Sequence, residues 1–158
     1  MKVVQFTFSV LATISLFSCS KSEDVYQPVA SYPNVAATFG TKIDLNNLDI
    51  SIPAGQTKTF SKNFTFSATT RVVMLTSHFH RLGQKFVIKI YGGARNGEIV
   101  YTNTDWEHPL VKSFSTPIVL QPGEGLTSEV TYNNTTGKTV GFGLTSEDEM
   151  NIIFGYYY

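Results

Sequence analysis

From residue 40 onward, apolar side chains recur at every second position, with no convincing helical period. Residues 59–66 set Phe60, Phe64 and Phe66 on one face, and residues 85–91 alternate Phe86, Ile88 and Ile90 against Lys85, Val87 and Lys89. A two-residue period of this kind marks strands with one buried face. The same reading predicts strands over 43–52, 71–80, 98–101, 117–120, 126–132, 139–144 and 151–157. Turn chemistry separates them at Pro53-Ala54-Gly55, at 92–97, at Gln121-Pro122-Gly123-Glu124-Gly125 and at Asn133-Asn134-Thr135-Thr136-Gly137. Strands 43–52 and 59–66 read as one hairpin, and 71–80 with 85–91 as another. Short strands at this spacing predict an all-β fold, a two-sheet antiparallel β-sandwich.

The first 39 residues follow a different pattern. Lys2 precedes an apolar run through Val10, Leu11, Ile14, Leu16 and Phe17 that is too short to span a bilayer comfortably, so residues 1–18 read as a secretory signal. Leu16-Phe17-Ser18-Cys19 resembles a bacterial lipobox, which makes Cys19, the single cysteine, the expected lipidation site and first mature residue. Residues 19–39 are mostly polar, small or proline and suit a flexible tether. The expected folded domain is 40–158, held by a lipid anchor in the membrane of a bacterial cell envelope, with the outer membrane favoured.

Charge narrows the partners. With a formal net charge of +0 and no basic run, the chain lacks the electrostatic footprint of a nucleic-acid binder. No Gly-x-Ser-x-Gly elbow is present, and Cys19 is assigned to lipid, which argues against a serine or cysteine hydrolase.

The candidate chemistry lies in Thr76-Ser77-His78-Phe79-His80-Arg81-Leu82-Gly83. Two histidines one residue apart on a strand project from the same face, where neutral imidazoles hold copper or zinc. A third donor decides the metal. Met74 shares the face but lies four residues from His78, about 13 Å along a strand that rises roughly 3.3 Å per residue. His108, Met150 and the acids Glu147, Asp148 and Glu149 remain. His108, in Trp106-Glu107-His108-Pro109, reads as a structural loop residue, and Met150 by itself reads as core filler.

The His78-Phe79-His80-Arg81-Leu82-Gly83 run, Leu120–Gly125 leading to Tyr132-Asn133-Asn134, and Asp148-Glu149-Met150 occur in an order and spacing that resemble the C-terminal domain of the copper type II, ascorbate-dependent monooxygenases. That resemblance implies a jelly-roll-like sandwich holding one copper ion through His78, His80 and Met150, with dioxygen as a partner. A soft thioether beside two imidazoles favours Cu(I), and three protein donors leave a position open.

The resemblance also has departures. The family delivers electrons from a second copper bound by three histidines in an N-terminal domain, whereas this sequence has three histidines in all. A separate electron donor or second-copper protein is therefore expected. Thr76 stands where peptide-hydroxylating members carry arginine, and Ile152 and Phe154 where they carry asparagine and tyrosine. Glycine-extended peptides are expected not to be substrates. The reading is a copper-binding envelope lipoprotein of the monooxygenase type. The alternatives are a non-catalytic copper carrier and, third, a glycan-binding or adhesive sandwich using Tyr91, Tyr101, Trp106 or Tyr156-Tyr157-Tyr158.

Overall fold

Period-two alternation has its structural counterpart in ten strands, found in a computed structural model that describes residues 40–158. The expected export segment 1–18, the expected lipidation site Cys19 and the expected tether 19–39 lie outside the described residues. In chain order the strands are β1 (Thr41–Asn46), β2 (Ser51–Ile52), β3 (Thr57–Thr65), β4 (Thr70–His78), β5 (Gly83–Tyr91), β6 (Ile99–Asn103), β7 (Lys112–Leu120), β8 (Gly125–Asn133), β9 (Val140–Gly141) and β10 (Ile152–Tyr157). No helix occurs among the described residues.

Two four-stranded sheets, β1-β10-β4-β7 and β3-β8-β5-β6, pack face to face, with the short pair β2-β9 beside them. Every pairing in the ladders is antiparallel. The chain changes sheet at nearly every connection, the winding of a jelly roll. Inward faces supply one core, built on Ile43, Val72, Leu75, Phe79, Phe86, Ile88, Leu126, Val130, Tyr132 and Ile153.

Both expected hairpins are corrected by this winding. β1 pairs with β10 and β3 with β8, while β4 and β5 belong to opposite sheets. The reason is burial: Phe79 and Leu82 both point into the core, so the 79–82 turn carries the chain across the sandwich rather than along one sheet edge. The strand expected over 43–52 is broken at Asn47, a buried residue whose Oδ1 accepts the Asp49 amide and whose own amide donates to the Asn151 carbonyl. In the 139–144 segment only Val140–Gly141 is strand, because Gly143 and Asp148 close a tight turn over Thr145.

The Gln121–Gly125 motif is turn chemistry. Gly123 takes φ +88°, and Gly125 packs its α-carbon against the Phe64 carbonyl, leaving no room for a side chain. Asn134 is fully buried and donates from Nδ2 to the carbonyls of Ile52, Pro53 and Lys138, which ties the loop after β8 to β2.

Phe79 fixes the end of β4. It is 1% exposed, its ring is tilted against Phe86 at 5.8 Å, and Gly83 runs so close that any Cβ there would enter the Phe79 ring. Phe79→Ala is expected to lower unfolding free energy by about 3–5 kcal/mol, read from the urea midpoint at unchanged m-value.

Candidate metal centre

Phe79 points into the core, and its neighbours His78 and His80 bring their rings together on the other side of the chain, His78 half-buried and His80 buried. β4 ends at His78, and His80 lies just beyond it, at the start of the turn. The rings nevertheless meet edge to face, centroids 5.0 Å apart, with the two Nε2 atoms separated by 3.2 Å. His80 Nδ1 lies 2.8 Å from the Asp148 carbonyl oxygen. A carbonyl only accepts, so Nδ1 carries a proton, and in the neutral ring Nε2 keeps its lone pair.

That arrangement fits a shared ion. Imidazole nitrogens bound at about 2.0–2.1 Å with bond angles near 100–110° stand about 3.1–3.4 Å apart. His78 is neutral over most of the pH range, since burial, with His80 beside it, lowers its pKa to about 4. Neutral imidazole is the ligating form.

β10 lies next to β4, with Ile152 opposite His78 and Phe154 opposite Thr76. The ladder ends at the pair of Ile152 and His78, with Met150 two residues before Ile152 and His80 two residues after His78, so an extension of the same register would set the two side by side. Met150 is buried, and its carbonyl accepts the Tyr132 hydroxyl at 2.6 Å. Burial, with the Glu149 charge nearby, raises the Tyr132 pKa well above its ordinary value, so the phenol stays a donor.

The three acids before Met150 divide their roles. Glu147 pairs with Arg81 at 2.7 Å on the surface, and Asp148 accepts the Thr145 hydroxyl at 2.6 Å. Glu149 is fully buried, with Oε2 accepting the His80 amide at 3.0 Å and Oε1 the Leu82 amide at 2.7 Å. Burial pushes its pKa up to about 7 against the pull of the His80, Leu82 and Met150 amides and of Arg81. The sequence leaves Glu149 solvated or bonded to the loop; the structure has it bonded and dry. Among the described residues no cluster of three His, Cys, Asp or Glu side chains suited to a metal occurs.

His108 stands in an exposed loop, with Nδ1 3.5 Å from Asp105 Oδ2. The aromatic surface suggested for glycans is corrected at Tyr101, which is 1% exposed and donates its hydroxyl inward to the Leu110 carbonyl. Trp106 packs against the core. Sequence reasoning missed the Asp148 carbonyl and the Tyr132 hydroxyl, because neither a backbone acceptor nor an inward-facing tyrosine carries a local signal. Glu149 left one: a carboxylate directly before a buried strand.

Fold and site together define a class: an antiparallel jelly-roll sandwich with two imidazole nitrogens converging at one sheet end. Residues 46–158 match the family "Copper type II ascorbate-dependent monooxygenase, C-terminal domain", and the chain belongs to that family. Membership implies copper as the cofactor. No curated protein matches the chain.

The lowered His78 pKa has a pH consequence in the metal-free protein. The unfolded chain takes up a proton near pH 6.5 that the folded chain resists until about pH 4, so stability linked to His78 is complete above 6.5 and is lost as pH falls towards 4. Glu149, with its pKa raised, runs the opposite way between about 4.5 and 7. The contributions are separated by comparing variants: the stability advantage of wild type over His78→Asn is expected to shrink as pH drops from 6.5 to 4 in denaturant titrations.

Proposed function

We propose that the chain holds one copper ion through His78 Nε2, His80 Nε2 and the Met150 sulfur, and that it is an oxygen-activating, monooxygenase-type domain of an envelope lipoprotein anchored through Cys19. The observation that carries this reading is the 3.2 Å approach of the two imidazole nitrogens, at the strand end where β10, which Met150 precedes by two residues, pairs with β4. Copper bound there supplies one-electron chemistry and an open position for dioxygen. The protein's part is to keep His78 neutral, orient His80 through the Asp148 carbonyl, and present a thioether that favours the reduced ion.

Substrate in this reading approaches the half-buried His78 over the side of β4 and β10 away from the core, where Thr76 and Ile152 are themselves buried. Thr76 and Phe154 are paired there beside His78, and the Phe154 ring lies 6.2 Å from the His78 ring. Lys42, the cation over Phe154, is already paired with Asp44 at 3.0 Å. A peptide carboxylate finds no fork of donors at these positions, so glycine-extended peptides are not substrates. Electrons in this reading come from a separate donor or second-copper protein. The second reading is a copper-carrying lipoprotein without turnover.

Copper analysis of the purified chain tests the site. One equivalent is expected in wild type, with loss in His78→Ala and weakened Cu(I) retention in Met150→Leu. Undiminished copper in both variants would overturn the ligand set. Ascorbate-dependent oxygen uptake by the copper-loaded wild type supports turnover; copper binding without uptake, with or without a candidate donor, supports the carrier.

A further inference from the structure

We propose that Glu149 is the positioning residue of this centre, a buried clamp that joins the turn carrying His80 to the strand start carrying Met150 so that sulfur and imidazoles move as one unit. The inference rests on the His78-His80-Met150 reading.

Two backbone N–H groups, those of His80 and Leu82, point at one side chain. Both need an acceptor, and only a carboxylate offers two acceptor oxygens with no donor of its own. An amide in its place would satisfy one N–H and set an NH2 group against the other. The backbone of Glu149 is fixed as well: its N–H donates to the Gly141 carbonyl at 2.9 Å, and its carbonyl accepts the Gly143 N–H at 3.2 Å. A parallel bridge between Phe142 and Glu149 continues this tie to β9. Glu149 therefore spans three segments: the end of β9, the approach to β10 and the turn after β4.

Each ligand has a neighbour in this network. His80 donates its ring Nδ1–H to the carbonyl of Asp148, the residue before Glu149, and Met150 follows directly after. The Met150 carbonyl is held from the far sheet by Tyr132. His78, by contrast, stands on regular β4 and needs no such help. Removal of the carboxylate frees the Met150 segment from the histidine turn while the imidazole pair persists. The defect is thus expected to fall on the sulfur ligand and on Cu(I), more than on Cu(II).

The test uses Glu149→Gln, which keeps size and shape, with Glu149→Ala beside it. In the metal-free chain, amide exchange at His80 or Leu82 is expected to quicken in Glu149→Gln; unchanged exchange at both overturns the clamp. In the copper-loaded chain, Cu(I) affinity is expected to fall about 10–100-fold, with weaker copper–sulfur scattering in X-ray absorption and a smaller loss for Cu(II). Equal losses for both oxidation states, with sulfur scattering intact, mean a merely structural role and overturn the positioning claim. If wild type itself shows no copper–sulfur scattering, the ligand set fails instead, and the exchange measurement still decides the clamp.

Discussion

The inward turn of one side chain, Phe79, is the constraint on which this molecule's chemistry depends. Successive residues of an extended chain project to opposite sides, so packing Phe79 into the core leaves His78 and His80 together on the other side, where His78 is half-buried and His80 is buried. Burial of a phenylalanine contributes on the order of 1.5–3 kcal/mol, enough to hold a strand end that would otherwise fray. Gly83 completes the arrangement by letting the chain pass against the ring face, where any larger residue would displace it. The histidine spacing and the core packing are one device.

Around that device the electrostatics are spare. Three neutral donors are proposed, and the nearest buried ionisable group in the hydrogen-bond network, Glu149, is spent on backbone amides. The acids that look most metal-like in the sequence are thus engaged elsewhere, Glu147 with Arg81, Asp148 with Thr145 and Glu149 with the histidine turn. This separation matters for metal choice. A carboxylate turned towards the imidazoles would make a harder site suited to zinc, whereas a set completed by thioether suits copper and its reduced state.

Family membership and the outward face of the sheet point to a domain that has kept the cofactor of its family while its surroundings differ. Thr76, Ile152 and Phe154 flank the imidazole pair with small or apolar groups, and the nearby Lys42 is engaged by Asp44.

Much of this was legible in the sequence because it depends on local periodicity. Alternation over residues 85–91 and the glycine turns gave the all-β class, and His78-Phe79-His80 gave a same-face pair, since both follow from the covalent geometry of an extended chain. Strand partners were not legible there. An inward face is satisfied by any complementary inward face, so β4 and β5 read as a hairpin until the burial of Phe79 and Leu82 set them in opposite sheets. Only the tertiary structure set Ile152 beside His78 and gave the Glu149 carboxylate its two amides, because those meetings join residues about seventy positions apart through the pairing of β10 with β4.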